Sequence, residues 1–562
     1  MVKNFDNEIY AYALENSAEH GEAREGNVLP KLFQHGLTKD KIKDVILRVK
    51  EIIKEVNSLD ESQRTAKLEK YKKYLKEKEV VEHGLKDLPN LSKKMVFRLA
   101  PFPSGSLHIG NTKTYLLNAI YAEKYKGKII LVIDDTIGSD EKGIILEAYK
   151  LIPEAFDYLN VKYSKPIVYK SDRLEIYYKY AEEILKKDAA YVCSCPQEIL
   201  RENRAKGIAC KCRKLSVEDN LKRWKEMFSV EEGKYVMRLK TDIKHKNPAF
   251  RDRVLFRISD KEHSRIGKKY RVWPLLEFSW AIDDHLLGVT HVIRGKELMI
   301  EGDMQNFIWD LFGWKKVEFI YTGLVKVEGI GGKLSKSKAQ KEVLSGEYFG
   351  WEDPRTWSVQ SFINRGILAE SLREFVEKIG LNQKDAAVPI DDLYAINRRK
   401  LDAEANRYFF VENPVEILIK DFAKTKLKEV KMKVHPEKIK TRNVLISEKI
   451  CIPSTDFNDL KNEEKFRLMH LSDAIIDKKK KKVNLVDNSK DMKTKKVHFV
   501  DSSSGVKTKV MMPTGAWHFG VAEKNISKLK EGEIIQFERF GFCKFHGRDR
   551  FSGEFVFWFA HD

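Results

Sequence analysis

At 562 residues the chain is too long for one hydrophobic core, so several domains are expected. Its 42% hydrophobic and 33% charged residues match a soluble globular protein; no apolar stretch is long enough to span a bilayer, and the first residues do not read as a signal peptide, which makes the cytoplasm the expected compartment. A formal net charge of +20 suggests a polyanionic partner such as nucleic acid, the alternative being a generic solubility charge, and six cysteines in a chain of this length argue against a disulfide framework.

Residues 1–93 read as a helical appendage without a catalytic signature, with Ile9, Ala13 and Leu14 opening one amphipathic stretch and Ile42, Val45, Ile46 and Val49 forming another. From residue 94 the pattern alternates. Met95 to Ala100 is a short apolar run, a buried strand stopped by Pro101 and Pro103. Ser104, Gly105 and Ser106 make a small-residue turn, and Asn111 to Tyr125 is a helix with an apolar stripe at Tyr115, Leu116, Ala119 and Ile120. Lys128–Asp134 is the next buried strand, and a further helix spans about 141–158. This βαβα order implies a parallel sheet with ligands at the strand C-terminal ends, where Arg98, Ser104 and Asp134 fall. His108 and Gly110 sit where a strand hands over to a helix. Free N–H groups and a positive dipole attract phosphate there, Gly110 lets a nucleotide approach the backbone, and His108 can donate to a phosphoryl oxygen.

Residues 190–270 break the rhythm and read as an insertion with strand-like pieces such as Lys234–Lys240. Its Cys193-x-Cys195 and Cys210-x-Cys212 pairs can close a tetrahedral thiolate zinc site, with Lys211 and Arg213 offsetting the charge; the alternative is four reduced thiols. The alternation resumes at Tyr270–Pro274, and the stretch Asp283 to Arg294 ends another buried strand. Gly331-Gly-Lys-Leu-Ser-Lys-Ser337 sets a glycine pair before two lysines and two hydroxyls, and helices follow at about 354–379. After about 390, short β-like runs take over, among them Val510–Met512, Gly532–Phe540 and Phe555–Ala560, and point to one or two β-barrels. The Lys478–Lys482 run reads as a solvated loop.

The His108 and Lys336 segments together resemble the paired ATP-binding signatures of class I aminoacyl-tRNA synthetases. Arg98-Leu-Ala-Pro101, Asp134-Asp-Thr136, Asp283-Asp-His285, Val292-Ile-Arg-Gly-Lys296 and Trp351-Glu-Asp-Pro-Arg355 follow in the order of the glutamyl/glutaminyl branch. Tyr191-Val-Cys-Ser-Cys-Pro196 with Cys210-Lys-Cys-Arg213 is similar to the archaeal-type glutamyl enzymes in particular. The resemblance implies an α/β multidomain fold. Its parts are a helical N-terminal appendage at 1–93, a Rossmann-like catalytic core at 94–190 and 270–330, an acceptor-stem insertion at 191–269, a lysine-loop and helical connector at 331–390, and β-barrel anticodon-binding domains at 391–562.

The implied reaction is ATP-dependent, Mg2+-assisted activation of glutamate to glutamyl-adenylate, followed by transfer to the 3' end of tRNA(Glu), with tRNA(Gln) left open as a second acceptor. Such chemistry rests on positioning and charge stabilisation. The resemblance makes His108 and Lys336 the catalytic donors. It places Ser104, Gly105, Gly110, Asn111, Lys333, Ser335 and Ser337 with them at ATP, and Arg98, Ala100, Asp134 and Arg294 at glutamate. For Arg98, Asp134 and Arg294 the alternative is a structural ion pair. Three positions depart from the family pattern: Asn111 replaces a common histidine, Phe102 a serine, and Leu276 a tyrosine that touches the amino acid in bacterial glutamyl and in glutaminyl enzymes. Arg398, Arg399 and Arg407, and Trp517 or Phe519 by stacking, are the base-reading candidates. Synthetase or amidotransferase partners would dock on the N-terminal appendage. The rival readings are a glutaminyl-tRNA synthetase, a non-catalytic tRNA-binding paralogue and a small-molecule nucleotidyltransferase.

Overall fold

The alternating region folds around a five-stranded parallel sheet. Its strands are β1 (Val96–Leu99), β2 (Lys128–Ile133), β3 (Ser164–Tyr169), β4 (His291–Gly295) and β5 (Glu318–Thr322), in the order β3-β2-β1-β4-β5. The order reverses between β1 and β4, and such a reversal opens a crevice at the strand C-terminal ends. In β2 every residue but Lys128 is buried, as a strand covered on both faces requires. The computed structural model describes residues 4–37, 41–75, 85–137, 143–330, 336–425, 428–487 and 494–562.

The helix α1 (Ile109–Lys124) follows β1, buries Leu116, Ala119 and Ile120, and packs Tyr115 edge-on against Phe156. The next helix begins only at Ala148, later than its periodicity suggests, and in the loop before it the Ile145 amide bonds Pro103 O. The insertion is a four-stranded antiparallel sheet of Ala190–Cys193, Val236–Leu239, Val254–Ile258 and Val272–Pro274. Asp283 and Asp284 belong not to β4 but to α2 (Leu276–Leu286), which ends in a turn at Gly288, where φ is +67°. The connector region at 354–379 is a short turn, Pro354–Thr356, and two helices, Val359–Arg365 and Ala369–Ile379, parted at Gly366.

The β-rich region comprises two seven-stranded sheets. One takes the strands between Pro414 and Asp501 other than Glu429–Lys433 and Thr441–Leu445, which pair with each other. The other joins Arg407–Tyr408 and Phe410–Glu412 to the strands from Val506 to His561, so the first sheet is inserted in the chain of the second. Gly532–Phe540 is not one strand: Ile534–Phe537 turns back at Arg539 and Gly541, both at positive φ, to pair Phe537 with Gly541. Lys478–Lys482 is a largely exposed hairpin turn, with Asp477 paired to Lys482 and Lys481 at positive φ.

The segment Met1–Gly84 forms a separate compact unit, and Leu85–Asp562 forms the other. Four helices, Asp6–His20, Glu25–Leu32, Ile42–Ser58 and Glu61–Tyr71, bury Ile9, Leu14, Val28, Val49 and Val56 among themselves. Asp60 and Gln63 close a reciprocal cap at the start of the fourth.

Two buried histidines in the β-rich region give an acid sensitivity. His498 donates from Nε2 to Phe410 O and accepts from Arg539 at Nδ1, and His561 accepts from Asn397 at Nε2. Burial pushes each down to about 4. In the unfolded chain they titrate near 6.5. Between pH 6.5 and 4 the unfolded state therefore binds more protons, so stability is lost as pH falls through that window, by about 3 kcal/mol per histidine at pH 4. Denaturant unfolding across this range is expected to show the fall, and His498→Gln, which can keep both hydrogen bonds, to flatten it.

Candidate active site

The crevice between β1 and β4 is a cavity of about 550 Å³. Arg98, Ala100, Asp134 and Arg294 all border it, as do Ser104, Gly110 and Asn111 from the turn into α1. The parallel strands deliver the first group at their C-terminal ends. Leu276 and Phe102, two of the departures from the family pattern, also line it.

Arg98 is held by Asp284 of α2 in a bidentate pair, Nε–Oδ1 2.5 Å and Nη2–Oδ2 3.2 Å, with both side chains essentially excluded from solvent. Asp284 Oδ2 also accepts from Gln305 Nε2 at 3.0 Å, and Gln305 Oε1 accepts from Arg294 Nη1 at 2.8 Å. Gln305 lies on α3 (Met299–Phe312) and is fully buried. The Arg294 guanidinium rests 3.9 Å from the Phe319 ring centroid, and the Trp280 ring lies within 5.5 Å of both arginines. Arg294 Nε and Nη2 make no hydrogen bond of ordinary geometry among the described residues, although Tyr321 lies beside the group.

Asp134 is paired with Lys170 at 3.0 Å, and Lys170 Nζ also donates to Ser279 Oγ at 2.8 Å. Burial pushes Lys170 below its ordinary value, against the pull of Asp134 and Asp283. Asp283 itself accepts from Arg173 and from the Tyr177 hydroxyl, and burial raises it despite those partners. Asp283 and Asp284 thus hold two arginines, Arg173 and the cavity-lining Arg98 respectively.

His108 is the N-cap of α1, where its Nδ1 accepts from the Gly110 amide at 3.1 Å. In the neutral ring this leaves Nε2 as the nitrogen that carries the proton. Gly105 has φ of +141°, and a Cβ there would overlap the Trp351 ring; the indole of the Trp351–Arg355 motif is what demands a glycine. Asn111 Oδ1 is buried beside the cavity without a hydrogen-bond partner among the described residues. Lys333 and Ser335 lie outside the described residues; Lys336 and Ser337 open the helix Lys336–Leu344, but their side chains also lie outside them.

Four residues at this site carry no motif that singles them out: Lys113, Lys170, Trp280 and Gln305. Lys113 is buried on α1, borders the cavity and donates to Gly323 O at 3.1 Å. A lysine among the apolar positions of α1 was the signal available in the sequence.

In the insertion, the Sγ atoms of Cys193, Cys195, Cys210 and Cys212 all lie within 4.8 Å of one another, with Cys193–Cys210 at 3.7 Å and Cys195–Cys212 at 4.0 Å. Four sulfurs about 2.3 Å from a tetrahedral zinc stand about 3.8 Å apart, so the donor set and its spacing fit that ion. Arg223 and Arg238 approach Cys212 and Cys210 at 3.6 and 3.8 Å and offset thiolate charge; Arg213 turns instead to Asp252.

The base-reading candidates divide. Arg398 bonds Asp562 O, Arg399 pairs with Glu374, and Arg407 pairs with Asp402. Trp517 and Phe519 stand on one strand, 36% and 52% exposed, with Lys509 Nζ 4.8 Å from the Trp517 ring centroid.

Residues 94–403 match the family profile described as "tRNA synthetases class I (E and Q), catalytic domain". Residues 405–502 and 469–546 match two profiles of the anti-codon binding domain of the same synthetases. The chain is 38% identical to the glutamate–tRNA ligase of Methanocaldococcus jannaschii, over 99% of this chain and all of that relative. It is 40% identical to the glutamate–tRNA ligase of Pyrococcus furiosus, over 95% of this chain and 96% of that one.

Proposed function

The chain belongs to the class I tRNA synthetases for glutamate and glutamine, its activity is that of a glutamate–tRNA ligase, and from this we propose which residues carry the reaction. A glutamate α-carboxylate oxygen attacks the α-phosphorus of ATP and pyrophosphate leaves; a hydroxyl of the terminal tRNA ribose then attacks the acyl carbon and AMP leaves. The protein need only position the reactants and stabilise negative charge.

The observation that carries this reading is the charge of one cavity. Of two buried guanidinium groups, Arg98 pairs with Asp284 while Arg294 reaches that aspartate only through Gln305, beside the carboxylate of Asp134. An amino acid with an extra carboxylate and an ammonium complements that set. Asp134 takes the ammonium while keeping Lys170, since a carboxylate accepts several hydrogen bonds. His108 and Lys336 serve the phosphates. Ser104, Gly105, Gly110 and Asn111 line the nucleotide turn, and Lys333, Ser335 and Ser337 belong to the facing loop. Mg2+ accompanies ATP. The two seven-stranded sheets take the anticodon arm, and the protein works in the cytoplasm.

Charging purified tRNA(Glu) and tRNA(Gln) with labelled glutamate and labelled glutamine tests the reading. Glutamate on tRNA(Glu) is expected. Glutamine on tRNA(Gln) would overturn it in favour of a glutaminyl enzyme, and glutamate on both would extend it to a second acceptor whose product an amidotransferase must correct.

The four cysteines would hold one structural zinc, pinning the knuckle of the insertion. Elemental analysis of the purified protein is expected to find about one zinc per chain, lost when Cys193 and Cys210 become serine. Metal-free protein with full activity and unchanged melting would leave the cysteines as packing only.

A further inference from the structure

We propose that Gln305 is a specificity-determining positioning residue: its amide joins Arg98–Asp284 to Arg294 and keeps the cluster one positive charge in excess, so that only an amino acid with a side-chain carboxylate completes it. The proposal rests on the reading that this cavity takes glutamate. Gln305 lies in no motif and touches no position assigned to substrate except through Arg294.

The geometry leaves the amide no choice of orientation. Arginine only donates and an ionised carboxylate only accepts, so the oxygen must face Arg294 and the nitrogen Asp284, as observed at 2.8 and 3.0 Å. The side chain is fully buried, so water cannot stand in for either bond. The resulting chain runs Arg98–Asp284–Gln305–Arg294, with two cations, one anion and one neutral bridge.

Asp284 spends its hydrogen bonds on Arg98 and on the amide, and among the described residues no carboxylate pairs directly with Arg294. Arg294 is 4% exposed, and beyond Gln305 its polar neighbour is the Tyr321 hydroxyl, a neutral group that brings no negative charge. A buried cation left so is costly until an anion reaches it. Glutamate and glutamine share an α-carboxylate, but only glutamate brings a second anion at its side chain, where glutamine presents a neutral amide.

The neutrality of residue 305 therefore matters as much as its hydrogen bonds. A glutamate there would satisfy Arg294 from within the protein and would set a second carboxylate against Asp284. A methionine would fill the same space but leave a third nitrogen of Arg294 without its acceptor and the ring of bonds open.

The test is ATP–pyrophosphate exchange in the presence of tRNA, with glutamate and with glutamine, for the wild type, Gln305→Glu and Gln305→Met, together with thermal unfolding of each. Gln305→Glu is expected to raise the glutamate KM about ten- to a hundred-fold, the worth of one charge-assisted hydrogen bond, with the ATP KM within about two-fold. Its preference for glutamate over glutamine, as a ratio of kcat/KM, should fall about ten-fold or more. Gln305→Met should raise the glutamate KM while the ATP KM stays put. A folded Gln305→Glu protein with the wild-type glutamate to glutamine ratio overturns the proposal, as does Gln305→Met with an unchanged glutamate KM. Should Gln305→Glu fail to fold, the methionine variant decides. Failure of the wild type itself to use glutamate would instead sink the functional reading, which keeps the two apart.

Discussion

Arg98→Ala is expected to raise the glutamate requirement steeply and to cost the protein about 3–5 kcal/mol of stability, the penalty for removing one partner of a buried ion pair. Both side chains are almost wholly excluded from water, so solvent screening does not soften the loss. Without the guanidinium, Asp284 keeps only the Gln305 amide, and its charge is left largely uncompensated in a dry site. The damage then travels along the bonded chain, because Gln305 is what orients Arg294. Lysine cannot rescue it fully: a point charge on a flexible stem does not reproduce two parallel bonds to one carboxylate. ATP binding should be nearly intact, since the nucleotide turn from Ser104 to Asn111 makes no hydrogen bond to this cluster among the described residues. Pyrophosphate exchange against glutamate concentration, with denaturant unfolding alongside, checks both halves. An unchanged glutamate Michaelis constant and turnover would mean that Arg98 is a structural group only.

Lys336→Ala should slow adenylate formation by roughly two to three orders of magnitude, as loss of one charge-stabilising donor does elsewhere. Lys336 is the first residue of the helix Lys336–Leu344, and a helix N-terminus already favours negative charge. In the proposed role the lysine charge would add to that partial charge as negative charge builds on the departing pyrophosphate. Glutamate binding should change little if, as proposed, the amino acid lies against Arg98, Arg294 and Asp134 rather than against this loop. Single-turnover adenylate formation in the presence of tRNA measures the step directly. A variant with near wild-type exchange would remove Lys336 from the catalytic role.

Much of the catalytic region was legible from local pattern. The apolar run of β2 ends at Ile133, one residue short of Asp134, and the small-residue turn does hand over to a helix capped by His108. The two Cys-x-Cys pairs meet as their spacing suggests. Where local pattern failed, a tertiary contact or a turn had overridden it. The helix expected from about 141 starts at Ala148, with the Ile145 amide engaged by Pro103 O instead, and the run at Gly532–Phe540 is divided by residues at positive φ. Gly105 illustrates a subtler case. The sequence shows a small-residue turn there, but what excludes a Cβ is the ring of Trp351, brought from far along the chain.

By itself the amino-acid sequence determined the parts: the parallel-sheet core, the inserted cysteine knuckle, the β-rich C-terminal region, and the identity of Arg98, His108, Asp134 and Arg294 as site residues to be weighed. Periodicity and turn chemistry act over a few residues, so they are readable in one dimension. Only the tertiary structure decided the charge of the site. Arg98 meets Asp284 across 186 positions, Asp134 finds Lys170 from the next strand, and Gln305 closes the gap between the two arginines from a helix without a motif. Those pairings depend on strand order and helix rotation, and a buried charge takes its function from whichever partner the fold sets against it, which no local pattern encodes.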